Sequence, residues 1–150
     1  MRKNAYVDKL TGVYNRNYLQ DAQDFIHLQD YILATLDIDH FKAVNDTYGH
    51  DVGDKILTQV AECIRGSMRK HQDIAIRYGG EEFVLLIKRD PKETLEEINI
   101  VEHIFKAIQT KDFWIQNKES LAITVSIGVN LAPHQSRTFS EAFKLADIAL

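Results

Sequence analysis

Two strand-like runs, Ile74–Tyr78 and Phe83–Lys88, are separated only by Gly79-Gly80-Glu81-Glu82. A connector that short reads as the turn of a β-hairpin, and it commits two strands of whatever sheet the chain builds. A third run, Tyr31-Ile32-Leu33-Ala34-Thr35-Leu36, is almost continuously apolar and reads as a strand buried on both faces. Helical periodicity fills the intervals. Tyr14, Tyr18, Leu19, Ala22, Phe25 and Ile26 predict an amphipathic helix over 14–28. A short helix over 40–48 ends near Gly49, and Val52, Ile56, Leu57, Val60, Ala61 and Ile64 line one face of a longer helix closing near Gly66. Pro91 opens a helix to about Gln109, Leu121–Asn130 reads as a strand, and Ser140 is the expected N-cap of a helix over 141–150.

Without its first helix the order is β-α-α-β-β-α-β-α. This α+β pattern matches the split βαβ plan of a ferredoxin-like, palm-type sheet, antiparallel to mixed, with helices on one face. Such a plan sets the first strand beside the hairpin, so the end of one and the turn of the other can share a site. The 150 residues carry no repeat, low-complexity tract or linker, and the chain reads as one domain over 1–150. With 45% hydrophobic residues and two prolines, disorder and collagen are excluded; the single Cys63 excludes a disulfide framework and is expected to pack as a small apolar residue. No segment approaches the roughly 20 apolar residues of a membrane span, and Met1–Asp8 has no signal-peptide core. A net charge of −4 argues against a wide nucleic-acid surface. A soluble cytoplasmic domain, with no nucleic acid or membrane partner, is expected.

Two segments combine acids with tight turns: Asp37-Ile38-Asp39-His40-Phe41-Lys42 continuing to Asp54, and Arg77-Tyr78-Gly79-Gly80-Glu81-Glu82-Phe83. Asp37 sits where an apolar strand ends, a place from which carboxylates project into clefts. Glu81 and Glu82 occupy a turn whose glycines admit a bulky anionic ligand to the backbone. Carboxylates gathered this way repel one another unless a cation intervenes, and all-oxygen ligation suits Mg²⁺ completed by substrate phosphates. The competing reading makes Asp37 a helix cap and the glutamates a solvated turn, although Asp39 fits the cap better. The backbone N–H groups of His40 and Phe41, at a helix N-terminus, form a phosphate cradle in this reading. Lys42 is either a phosphate contact or a solvated lysine, and His50 either a substrate contact or a turn residue. Asn45 and Asp54 flank the Gly49 turn and can face each other across a pocket. A carboxylate such as Asp54 can accept the adjacent N1–H and N2–H of guanine, a pair that adenine lacks. Gly49–Lys55 fails the P-loop pattern, and no His-Glu-x-x-His motif occurs.

Both segments resemble the GGDEF family of diguanylate cyclases, in the variant whose turn reads Gly-Gly-Glu-Glu-Phe. Asp8-Lys9-Leu10-Thr11-Gly12-Val13-Tyr14-Asn15-Arg16 resembles the family's opening motif, with Val13 where Leu is commoner, and Thr124–Val129 resembles its late strand. The resemblance implies a nucleotidyl cyclase-like fold and the condensation of two GTP into cyclic di-GMP with loss of two pyrophosphates. It assigns the metal, Mg²⁺ or Mn²⁺, to Asp37, Glu81 and the Ile38 carbonyl, catalysis to Glu81 assisted by Glu82, and guanine recognition to Asn45 and Asp54. It also implies a homodimer of domains and an upstream regulatory segment. Two departures stand out. The family's product-inhibition motif, Arg-x-x-Asp, is here Lys70-His71-Gln72-Asp73, which predicts weak or absent feedback. The family also continues beyond the position of Leu150 with basic residues and a closing strand, so the chain reads as C-terminally truncated. The alternatives are a catalytically silent module sensing GTP or cyclic di-GMP, and another palm-type nucleotidyltransferase or purine cyclase.

Overall fold

The apolar run from Tyr31 extends two residues beyond its predicted end to form β1 (Tyr31–Ile38), and every other strand of the main sheet is placed relative to it. The computed structural model describes residues 5–92 and 95–148. β1 pairs antiparallel with β3 (Glu82–Lys88), with Leu36 opposite Phe83 and Asp37 opposite Glu82. The other edge of β3 pairs with β2 (Ile74–Arg77), and the other edge of β1 with β6 (Val125–Asn130). All three pairings are antiparallel and the order is β2-β3-β1-β6, the split βαβ arrangement.

Alternation along the strands sends side chains to two apolar layers. Ala34, Leu36, Phe83 and Leu85 join the cluster containing Ile56, Val60 and Ile64 of α3 (His50–Ser67) and Ile104 and Ile108 of α4 (Glu96–Thr110). Leu33, Val84 and Leu86 face the opposite way, into a cluster with Leu19 of α1 (Arg16–Ala22) and Ala142 and Ala146 of α5 (Phe139–Ile148). The expectation of helices on one face is therefore corrected to both. A strand pair apolar on both sides needs two covers, and each buried Leu or Val contributes about 1.5–3 kcal/mol only once covered.

Other expectations shift for local reasons. α1 stops at Ala22 rather than at residue 28; Ile26 and Leu28 reach the same apolar cluster from a turn and a 3₁₀ segment, so the apolar spacing outlasts the helix. Leu121 belongs to a separate hairpin, β4 (Phe113–Gln116) with β5 (Glu119–Leu121), whose turn residues Asn117 and Lys118 both have positive φ. Helix α4 starts at Glu96, with Pro91 in a turn and residues 93–94 outside the described set. Thr138, not Ser140, caps α5, its hydroxyl accepting the Glu141 N–H at 3.1 Å; the expected final residues 149–150 lie outside the described set. Cys63 packs half-buried against the core, and burial pushes its thiol pKa up.

The small hairpin is held by a side chain acting as a strand: Gln59 Nε2 donates to the Trp114 carbonyl at 2.7 Å, and the Trp114 N–H donates to Gln59 Oε1 at 3.0 Å. Gln59→Ala should cost about 1–2 kcal/mol in urea unfolding and speed hydrogen exchange at the Trp114 amide, while leaving the core strands protected.

Candidate functional site

Strand pairing alone brings the acids together. Asp37 and Glu82 are direct cross-strand partners, so their side chains leave the same face. One residue further on, the Ile38 N–H donates to the Glu81 carbonyl at 3.2 Å, bringing the end of β1 against the turn. The electrostatics record the crowding. Burial, then the charges of Glu81, Asp147 and Asp39, holds the Asp37 carboxyl above the ordinary carboxylate range. Burial, then Asp37, Asp147 and Glu81, raises Glu82 likewise, with Arg16 opposing. Among the described residues no three His, Cys, Asp or Glu side chains form a ready-made metal cage. Mg²⁺ does not require one, since it is commonly held by one or two carboxylates with substrate oxygens and water filling its shell. Hard oxygen donors crowded at like charge fit such an ion.

Beside these acids lies a cavity of about 440 Å³. Phe41, Lys42 and Asn45 reach it from α2 (Phe41–Tyr48), His50 and Asp54 from α3, and Gly80 and Glu81 from the turn. It thus gathers every expected substrate residue except His40. Gly49, at φ 92°, joins the two helices and lets Asn45 and Asp54 face one cavity. His40 is exposed at the N-cap position of α2 in the left-handed region, φ 57°, and its side chain makes no cap. Asp39 does not cap the helix either. Its two carboxylate oxygens accept the Thr124 and Ser126 hydroxyls, both at 2.7 Å, and its N–H donates to the Thr124 carbonyl, latching the end of β1 to β6.

Lys70 and Asp73 lie elsewhere, on a second cavity of about 690 Å³. The Asp73 side chain has no exposed surface. It accepts the Arg69 and Lys88 backbone N–H groups and pairs with the Arg69 guanidinium at 3.0 Å.

Three residues to which the sequence reading gave no role border the acids. Asp147, exposed on α5, adds like charge to Asp37 and Glu82; the signal was its place one residue beyond Ala146, on the helix edge next to the buried alanines. Arg16 stacks 4.2 Å from the Tyr78 ring centroid and donates to the Tyr78 hydroxyl. Arg77 bridges the turn and the N-terminal loop. Its Nε and Nη2 donate to the Gly80 carbonyl at 3.2 and 2.9 Å, and its Nη1 donates to the Asp8 carboxylate at 3.3 Å.

The family described as "Diguanylate cyclase, GGDEF domain" matches this chain over residues 5–150. The chain belongs to the GGDEF family. Among curated relatives, the response regulator PleD of Caulobacter vibrioides is 36% identical over 151 residues, covering 95% of this chain and 32% of that protein. Diguanylate cyclase DgcM of Escherichia coli is 37% identical over 157 residues, covering 97% and 35%. The chain therefore spans about a third of the length of these relatives. Among solved structures, the GGDEF domain of Caulobacter crescentus DgcB, in complex with c-di-GMP, superposes with a TM-score of 0.82 at 31% identity, covering 99% of this chain and 90% of that one. Diguanylate cyclase SiaD of Pseudomonas aeruginosa, in complex with its activator SiaC, gives 0.79 at 33% identity, covering 97% and 56%. The antiparallel α+β architecture is thus that of GGDEF domains. Among the described residues no helix is long and apolar enough to cross a membrane.

The loop latch of this GGDEF domain gives a pH-dependent prediction. Burial alone would raise the Asp8 pKa, but the Thr11 hydroxyl and amide and the Arg77 guanidinium outweigh it and hold it below the ordinary value. A depressed carboxyl stabilises the fold above its unfolded-state pKa, and that stability is lost as pH falls through the folded-state pKa. Asp8→Asn should therefore cost about 1–2 kcal/mol at neutral pH. Thermal melts should show the gap closing below the usual carboxylate range.

Proposed function

We propose that this GGDEF domain is a cytoplasmic diguanylate cyclase that condenses two GTP into cyclic di-GMP and two pyrophosphates. The observation that carries the reading is the juxtaposition of the Asp37–Glu82 strand pair and Glu81 with a cavity offering Lys42, Asn45 and Asp54. Asp37, Glu81 and the Ile38 carbonyl would hold Mg²⁺ or Mn²⁺. Such an ion, when bound, lowers the pKa of the attacking hydroxyl and neutralises charge developing on the phosphates. The chain's own groups supply the rest. Asp54 accepts the paired N–H donors of guanine, with Asn45 across the slot, and His50 closes its rim. Lys42 and the N–H groups of His40 and Phe41 hold phosphate oxygens at the start of α2. Glu81 favours loss of the 3′-hydroxyl proton, with Glu82 positioning. The 3′-oxygen then forms a bond to the partner nucleotide's α-phosphorus as the bond to pyrophosphate breaks.

One domain offers one such slot, so two domains must face each other, and activity should depend on dimerisation. Relatives about three times as long as this chain, one of them named a response regulator, support a regulatory segment elsewhere in the full-length protein.

Incubating a dimerised form with Mg²⁺ and GTP should yield cyclic di-GMP and pyrophosphate by chromatography. Chelation should abolish turnover, and Glu81→Gln should lower it by about two orders of magnitude or more while GTP binding persists. Nucleotide binding without turnover in the unsubstituted dimer would favour the silent sensing module, and a monomeric cyclic nucleotide would favour another cyclase.

Feedback by product should be weak or absent. Lys70 lacks the planar fork of arginine, and the Asp73 carboxylate is already engaged by Arg69 and Lys88. Calorimetry with cyclic di-GMP should detect no micromolar site near Lys70; such binding, lost in Lys70→Ala, would refute this.

A further inference from the structure

Glycine is a poor residue for a helix interior, yet Gly53 lies buried near the start of α3. It is not among the residues with positive φ, so no left-handed backbone demands it. Space does. A Cβ on Gly53 would overlap Asn45 Oδ1 outright and stand 3.0 Å from Asn45 Cγ and 3.2 Å from Phe41 Cζ. The Asn45 amide therefore lies in a recess made by the missing side chain. Its Oδ1 is buried and has no hydrogen-bond partner, although the residue lines the 440 Å³ cavity with Asp54. A buried acceptor without a donor is costly unless a ligand supplies one. Guanine can do so. Its 2-amino group carries two N–H bonds, and one remains when Asp54 accepts the other together with N1–H.

We propose that Gly53 is the positioning residue that sets purine specificity, by leaving the recess from which Asn45 meets the 2-amino group. This rests on the reading of the cavity as a guanine slot. Asp54 follows Gly53 directly, so the two sides of the slot are fixed within one helical turn of α3.

The test compares Gly53→Ala, Asn45→Ala and the double variant with the unsubstituted chain, titrating GTP and inosine triphosphate, which lacks the 2-amino group, by calorimetry. Gly53→Ala should weaken GTP by about tenfold or more and bring GTP and inosine triphosphate close to parity. In the Asn45→Ala background the same change should cost less than about twofold, because there is no amide left to displace. Melting should show the same coupling: Gly53→Ala lowers Tm less beside Ala at position 45 than in the parent, the remainder reflecting the Phe41 Cζ contact. Equal losses in both backgrounds, or an unchanged preference for GTP in Gly53→Ala, would overturn the proposal. If Gly53→Ala alone does not fold, a folded double variant supports the proposal and an unfolded one overturns it. Failure of the guanine-slot reading looks different, because the unsubstituted chain would then bind neither nucleotide, and the proposal falls with it.

Discussion

The register between β1 and β3 is the constraint on which the site depends. Asp37 faces Glu82 because Leu36 faces Phe83, Ala34 faces Leu85 and Ile32 faces Ile87, a ladder held by main-chain hydrogen bonds and buried on both sides. A one-residue slip would turn every one of these side chains to the wrong layer, so the hydrophobic cost of misregister is spread along the whole strand. The acids at the strand ends thereby acquire a fixed relation to which they contribute nothing themselves. Their mutual repulsion opposes the fold locally, and the apolar ladder overrides it. A cluster of like charges is thus sustained by packing.

The features legible in the sequence were those where local pattern and tertiary demand agree. The run from Tyr31, lengthened by two residues, the Gly-Gly turn between β2 and β3, and the Gly49 break between α2 and α3 each carry a signal that the fold uses. The family motifs extended that reading to residue level, and the cavity does gather Lys42, Asn45, His50 and Asp54. What was lost lies where long-range contacts decide. Nothing in the spacing of Phe25, Ile26 and Leu28 says that helix α1 has already ended. The β4–β5 turn uses Asn117-Lys118 where a glycine would have announced it. Asp39 looks like a helix cap until the hydroxyls of Thr124 and Ser126, just before and within β6 and more than eighty residues away in sequence, are seen to occupy both its oxygens.

Polar side chains around the site act as joints between segments that strand pairing leaves loose. Asp39 ties β1 to β6, Gln59 stands in as an extra strand for β4, and Arg77 joins the loop at Asp8 to the turn at Gly80. Each uses a group with at least two hydrogen-bonding points at a fixed separation. The guanidinium of Arg77 spans its two anchors because it is a flat, branched plate with donors on more than one edge. An ammonium at the same position is a single point at the end of a flexible stem and would have to settle on one anchor. Exchanging one basic side chain for the other would preserve the charge yet sever a mechanical coupling, leaving the β2–β3 hairpin and the loop at Asp8 to move independently.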